Sequence, residues 1–172
     1  MSGVKSQDLL IGEWACLGII CETPIHRFGV AARLKPGGDI GRIWTMSRAL
    51  TYRSIEQLAL RGLVEAAHEE PGVAGGTRTI YRATRLGRNA LREWLDTPVN
   101  HLREFRSELL LKIELARLLK IDSSALLELQ REVVHQSLQH FPSEVDSSGD
   151  VVSIWRNEMA TAALRFLDQC DR

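Results

Sequence analysis

The spacing of apolar residues predicts three short helices in the first sixty residues. An apolar run from Leu9 to Cys21, which contains only two glycines and one glutamate as exceptions, is too long for an ordinary strand and predicts a buried helix. A second short helix is predicted from Ile25 to Leu34, and Pro36 stops it. A third is predicted between Ser47, a good N-cap residue, and Gly62, a typical helix stop.

The third predicted helix has one apolar face and one polar face. Thr51, Ile55 and Leu58 fall at positions i, i+4 and i+7, so we expect them to point inward. The side chains that are expected to project away from this face include those of Ser47, Arg48, Tyr52, Arg53 and Glu56. Arg48 and Tyr52 share one exposed face.

A two-stranded ribbon is predicted after the third helix. Leu63–Ala66 reads as a short strand, and Thr77–Thr84 alternates polar and apolar residues with many β-branched side chains. The segment between them, Glu69–Gly76, is rich in turn formers and predicts a flexible tip. Thr84 is placed to cap a further helix over residues 85–95. This order of elements is typical of a winged helix-turn-helix.

The second half is helical by pattern, with segments near residues 105–116, 126–141 and 155–170 and a loop at 142–150. Several leucines lie off the main apolar stripe of the first segment, so this helix needs two neighbours. A second copy of the chain is the commonest way to supply one. We therefore predict a homodimer. The predicted interface residues are Phe105, Leu109, Ile113, Ala116, Trp155, Met159 and Phe166.

These elements predict a mainly α protein of the α+β winged helix class, with two domains. Residues 1–98 are predicted to form an N-terminal winged helix-turn-helix, and residues 99–172 a helical dimerisation domain. The chain has 22 basic and 22 acidic residues, but residues 1–98 have 13 Lys+Arg against 10 Asp+Glu. Five arginines and no acidic residue lie between Arg78 and Arg92. A polyanion is therefore expected to bind the first half.

Several function classes are disfavoured by the sequence. Three cysteines without a CxxC pair, an apolar run too short to span a bilayer and the lack of a leader predict a soluble, cytoplasmic protein with reduced thiols. The five histidines show no HExxH or HxH spacing, and no nucleophile elbow, P-loop or dinucleotide glycine pattern occurs. We therefore expect no enzymatic activity, no metal, no cofactor and no membrane partner.

A recognition helix would offer its exposed side chains to base edges in the major groove, and a wing would follow the backbone or minor groove. Two alternatives stay open for the wing: the hairpin does not touch DNA, or Arg78 supports the wing internally. The candidate DNA contacts are Ser47, Arg48, Thr51, Tyr52, Arg53, Thr77 and Arg78.

Two stretches resemble the PadR family of bacterial regulators. Residues 46–64, MSRALTYRSIEQLALRGLV, are similar to that family's recognition helix, with its tyrosine at Tyr52 and its Gly-Leu-Val ending. The family's strand and helix signature is met by Arg78, Tyr81, Thr84, Gly87, Leu91 and Trp94, and Pro24–Gly29 resembles an earlier family motif. This sequence departs from the family pattern at Arg27, Ala49, Thr51, Arg53 and Ala83.

The resemblance implies a ligand-responsive repressor that binds double-stranded operator DNA as a homodimer. It also implies a small aromatic or lipophilic effector near Trp94, on the helix that joins the two halves. Two alternatives remain at this point. One is a winged-helix adaptor that binds protein through its helical half, and the other is a MarR-like regulator, whose dimer helices normally come from both ends of the chain.

Overall fold

A computed structural model of the protein describes residues 9–72, 75–139 and 150–170. The first half contains α1 (Ile11–Glu22), β1 (Ile25–His26), α2 (Arg27–Leu34), α3 (Arg48–Leu60), β2 (Val64–Pro71), β3 (Thr77–Ala83) and α4 (Arg85–Leu95). The second half contains a 3-10 turn (Leu102–Glu104), a π-helical segment (Phe105–Leu109), α5 (Leu110–Leu119), α6 (Ser124–Gln139) and α7 (Val151–Cys170). Three helices, a hairpin and a fourth helix form a winged helix, which confirms the predicted fold class.

Helix α1 is the centre of the first half. It packs against α2, α3, α4, α5 and β3, and residues Gly12–Cys21 are all buried. A helix that is apolar on all sides has to be enclosed in this way. Gly18 lets α5 approach closely, because a Cβ atom there would lie 2.5 Å from Leu115 Cδ1. The predicted first helix is therefore confirmed, and α5 is docked on it.

The sheet has three antiparallel strands in the order β1-β3-β2. Ile25 pairs with Tyr81, so the start of the predicted second helix is a two-residue strand instead. Pro71 pairs with Thr77, so β2 extends well into the segment predicted as a turn. Both corrections come from pairing with β3, which is distant in sequence from Ile25 but is the neighbouring hairpin strand of β2. Pro71 is tolerated because it ends an outer strand, where a missing N–H costs little.

Predicted helix ends in the first half are confirmed by capping contacts. Ser47 Oγ accepts a hydrogen bond from Leu50 N at 3.3 Å, and Gly62 has a φ of 69°. Thr84 Oγ1 accepts one from Gly87 N at 3.0 Å, at the start of α4. Thr51, Ile55 and Leu58 are buried as predicted.

In the second half, side chains of the continuous stretch from the π-helical segment through α5 enter two different cores. Leu111 and Leu115 pack in the core of the first half. Leu109 packs in a second core with residues of α6 and α7, including Leu126 and Leu167. Phe141 and most of the predicted loop at 142–150 lie outside the described residues. Asp150, which is described, caps α7 by accepting a hydrogen bond from Ser153 N at 3.0 Å.

The predicted dimer residues fall into three groups. Leu109 and Ala116 are buried inside the chain and cannot also face a partner, so this part of the prediction is wrong. Trp155 is 65% exposed, near the start of α7. The remaining four are half-buried: Phe105, Ile113, Met159 and Phe166. Among the described helices, none is both long and apolar enough to span a membrane.

Candidate nucleic-acid interface

Helix α3 presents two arginines to solvent at its N-terminal half. Arg48 and Arg53 are exposed, whereas Tyr52 between them is half-buried. Thr51 is fully buried, and its hydroxyl donates a hydrogen bond to the Ser47 carbonyl at 3.0 Å. Thr51 therefore stabilises the first turn of the helix from inside and is removed from the predicted DNA contacts.

Phe28 of α2 lies beside the exposed face of α3. The Arg48 guanidinium carbon is 5.2 Å from the centroid of the Phe28 ring, and Phe28 is 55% exposed. A guanidinium over an aromatic face is attracted by the ring quadrupole. Phe28 lies on the surface of the chain although its side chain is apolar. Arg48 is thus oriented by a neighbour that sequence reasoning missed.

Arg27 joins three elements of the interface. Its Nη1 atom lies 3.0 Å from Glu56 Oε1 on α3. Its guanidinium carbon lies 5.4 Å from the Tyr52 ring centroid and 5.9 Å from that of Tyr81 on β3. Sequence reasoning noted Arg27 only as a departure from a family pattern. The sequence feature that pointed to these contacts is a basic residue followed directly by an aromatic one, at Arg27–Phe28.

The wing arginine, Arg78, is held by side chains of the chain itself. Its Nη2 atom donates a hydrogen bond to Glu70 Oε2 at 2.9 Å, and Nη1 lies 3.2 Å from His26 Nε2. Hydrogen bonds from His68 and Arg78 hold the pKa of the Glu70 carboxyl below its usual range. The geometry matches the alternative in which Arg78 supports the wing internally, although the side chain stays partly exposed.

The wing tip has a backbone conformation that favours glycine. Gly75 and Gly76 have φ angles of 84° and 80°, which L side chains rarely adopt. Gly72 N donates a hydrogen bond to the Gly76 carbonyl at 2.8 Å, which closes the tip. Thr77, a predicted contact, is exposed directly after it.

An open pocket with a volume of about 660 Å³, called here the concave surface, lies between α3 and the wing. Tyr52, Thr77 and Arg78 line it together with His26, Arg27 and Phe28. The structure therefore brings three of the predicted DNA contacts to one place. Arg48 and Arg53 do not line this surface, and Ser47 serves as the cap of α3.

Trp94, the candidate effector residue, is buried at the junction of the two halves. It lines an open cleft of about 370 Å³ with Trp14, Glu104, Glu108 and Lys112. Lys112 is 1% exposed, and burial lowers the pKa of its ammonium group. In the part of the chain that the structure describes, no group of three or more His, Cys, Asp or Glu side chains is placed to hold a metal ion.

No protein-family model matches this sequence, and no curated protein is significantly similar to it. Among solved structures, the chain is similar to Bacillus subtilis PadR in complex with operator DNA, with 16% identity, a TM-score of 0.49 and coverage of 91% of this chain and 92% of that one. It is also similar to Bacillus subtilis PadR in complex with p-coumaric acid, with 15% identity, a TM-score of 0.46 and coverage of 95% and 100%. At these values the likeness carries no inference about DNA or ligand, and the winged-helix fold rests on the elements described above.

Proposed function

We propose that the chain is a DNA-binding transcriptional regulator that places α3 in the major groove of duplex DNA. The observation that carries this proposal is the pair Arg48 and Arg53, exposed on the N-terminal half of the recognition helix. Neither is in ion-pair contact with an acidic side chain of residues 9–72, 75–139 or 150–170. An exposed arginine on such a helix can pair bidentately with guanine or bind phosphate.

Two neighbouring acidic side chains are paired with arginines, so these pairs add no net negative charge beside Arg48 and Arg53. Glu56 on α3 is bound by Arg27, and Glu70 on β2 is bound by Arg78. A phosphate that approaches α3 therefore meets Arg48 and Arg53, whose charges are not neutralised by a carboxylate of the described residues. Thr77 and the glycines of the wing tip allow the backbone to come close to DNA.

A mobility shift on the DNA upstream of the protein's own gene tests this proposal, with excess unrelated DNA as competitor. The full chain should retard that fragment, and Arg53→Ala should weaken the complex. Arg165→Ala is the matched control, because Arg165 is an exposed arginine of α7 that does not line the concave surface. Retardation that is equal for all DNA and unchanged in Arg53→Ala would favour the winged-helix adaptor, which binds protein through its helical half.

We propose further that the regulator acts as a homodimer. Four apolar side chains at the start of α7 are exposed: Val151, Val152, Ile154 and Trp155. An apolar groove of about 600 Å³, lined by Phe105, Leu110, Met159 and Phe166 among others, lies on the same helical half. A two-fold partner that presents the same surface would cover both.

We also propose that a planar aromatic or lipophilic effector binds in the Trp94 cleft and releases the DNA, so that the protein is a ligand-responsive repressor. The cleft lies between α4, which follows the wing, and the helices of the second half. A ligand there shifts the equilibrium only if it prefers the state that does not bind DNA. Movement of α4 against α5 would change the separation of the two recognition helices, which DNA half-sites fix.

A further inference from the structure

Phe28 is a large apolar side chain that stays exposed beside the basic end of α3. It lies in the first turn of α2 and is 55% exposed. The guanidinium carbon of Arg48, the first residue of α3, lies 5.2 Å from the centroid of the Phe28 ring. In a helix-turn-helix, the N-terminal residues of the recognition helix reach the base edges. Phe28 is therefore next to the part of α3 that would enter the major groove.

Contacts within the chain hold the Phe28 ring in place. The His26 ring lies 6.2 Å from it between centroids, with planes inclined by 19°. His26 is itself fixed, because its Nδ1 atom accepts a hydrogen bond from Gly29 N at 2.9 Å and its Nε2 atom lies 3.2 Å from Arg78 Nη1 on the wing. Groups that are ordered before binding lose less conformational entropy when they bind. The Phe28 ring and the Arg48 guanidinium thus form a pair that is in position before DNA binds.

The N–H donors of Arg48 remain available beside the ring. Within the described residues, the Arg48 side chain contacts the Phe28 ring and makes no hydrogen bond or ion pair. A guanidinium carries five N–H donors in a planar fork, and a contact with an aromatic ring satisfies none of the base-reading geometry by itself. Arg48 can therefore keep its contact with Phe28 while it binds a base.

The major groove offers different partners to the two side chains. Guanine presents its O6 and N7 atoms, which an arginine can bind bidentately. The apolar group that a base presents in this groove is the C5 methyl group of thymine. An exposed phenylalanine ring gains free energy by covering that methyl group, since both surfaces are removed from water. A guanine with a neighbouring thymine supplies a partner to each member of the pair.

We propose that Phe28 is a specificity-determining residue, which orients Arg48 towards a guanine and covers the C5 methyl group of the adjacent thymine. This inference rests on the proposed binding of duplex DNA by α3, and it adds the pair of neighbouring bases that each half-site contains. Phenylalanine has no side-chain donor or acceptor, so its preference for thymine comes from the methyl group alone.

A duplex that the full chain selects from a randomised library is used to test this inference. Its thymines are replaced one at a time by deoxyuridine, which lacks only the C5 methyl group. Its guanines are replaced one at a time by 7-deazaguanine, which lacks the N7 acceptor. Fluorescence anisotropy gives the dissociation constant of each duplex. Deoxyuridine should weaken binding about fourfold at one thymine of each half-site, and 7-deazaguanine should weaken it about tenfold at the neighbouring guanine.

Variants of the full chain assign these two effects to side chains. Arg48→Ala should abolish the effect of 7-deazaguanine. Phe28→Ala should abolish the effect of deoxyuridine and reduce that of 7-deazaguanine, whereas Phe28→Tyr, which keeps the ring, should retain most of both. Leu60→Ala is the matched control and should change neither, because Leu60 is an exposed apolar residue at the opposite end of α3.

Three results would overturn the inference while DNA binding by α3 stands. The first is a selected duplex in which no thymine beside an Arg48-dependent guanine is sensitive to deoxyuridine. The second is a deoxyuridine effect that persists in Phe28→Ala. The third is a 7-deazaguanine effect that is as large in Phe28→Ala as in the wild type, which would remove the orienting role. Failure of the full chain to select any duplex would instead contradict the proposed function and this inference together.

Discussion

The indole rings of Trp14 and Trp94 are stacked, with centroids 4.8 Å apart and planes inclined by 9°. The Lys112 ammonium lies 4.7 Å from the Trp94 centroid, and Trp94 Nε1 donates a hydrogen bond to Glu108 Oε1 at 3.2 Å. Because an indole and an ammonium group cannot share one face, both faces of Trp94 are occupied. The stack joins α1 and α4 of the winged helix to α5.

An effector in the Trp94 cleft therefore has to contact the edge of the stack or displace Lys112. We predict that a planar ligand from a small panel quenches tryptophan fluorescence and releases DNA over the same concentration range. Trp94→Phe should remove most of the quenching, whereas Trp44→Phe, the control, should keep it. Quenching that survives Trp94→Phe, or that leaves DNA binding intact, would place the effector elsewhere.

Trp155 on α7 gives a test of the proposed dimer. We expect the full chain to sediment as a dimer at micromolar concentration. Trp155→Ala should raise the dissociation constant by more than tenfold, because exposed tryptophans that become buried at interfaces contribute strongly to binding. Thr161→Ala, at another exposed position of α7, is the control. A full chain that sediments as a monomer contradicts the proposal.

Arg33 connects the end of α1 to the loop after α2, and this contact gives a prediction about pH. Its guanidinium is bound by Glu22, and its Nη2 atom lies 2.6 Å from Asp39 Oδ2. The hydrogen bond from Arg33 holds the pKa of the Asp39 carboxyl below its usual range. The Asp39 carboxyl is half-exposed, so we expect Asp39→Asn to lower the free energy of unfolding at pH 7 by only about 0.5–1 kcal/mol.

The sign of the pH effect follows from that lowered pKa. The contribution of Asp39 is complete above the unfolded pKa of about 3.9 and is lost as the pH falls through the folded value. Chemical denaturation should therefore show a constant difference between the wild type and Asp39→Asn from pH 7 to pH 5. Below pH 4 the difference should shrink. A difference that grows on acidification would contradict this assignment.

Local signals were enough to predict α3 and α4, the helices before and after the hairpin. Ser47 and Thr84 are caps whose hydroxyls act within three residues, and the spacing of Ile55 and Leu58 reports one buried face. The strand at Ile25–His26 and the extension of β2 to Pro71 were not predictable in this way. The strand at Ile25–His26 depends on pairing with Tyr81 and Ile80 of β3, which are distant in sequence, whereas the turn-forming composition near Pro71 pointed to a loop although Pro71 pairs with Thr77 across the hairpin.

In the helical half, pattern alone predicted helices but not which faces meet. Leu109, at the end of the π-helical segment Phe105–Leu109, enters one core, and Leu115 of α5 enters the other. The notch at Gly18 that receives Leu115 has no signature in the sequence. For the candidate site, exposure of Arg48 was predictable from helix periodicity, whereas the partners of Arg27 and Arg78 required tertiary contacts.

Arg48 and Arg78 are predicted to act differently on DNA. Arg48 is exposed, so Arg48→Ala should change base preference, with a cost of about 1–3 kcal/mol at one base pair if the pairing to guanine is bidentate. Arg78 is bound to Glu70 and to His26, so Arg78→Ala should weaken binding to all sequences by loosening the wing. Binding to a library of randomised duplexes measures both effects. Equal, sequence-blind losses in the two variants would remove Arg48 from base reading.

The central claim is that this winged helix binds duplex DNA through its basic first half. Fluorescence anisotropy of a labelled duplex from upstream of its own gene, compared with a scrambled duplex over a series of salt concentrations, tests it most directly. We predict tighter binding to the native duplex and an affinity that falls linearly in log–log form as salt rises, because phosphate contacts release counterions. Failure to bind either duplex at low salt, or an affinity that salt does not change, would contradict the account.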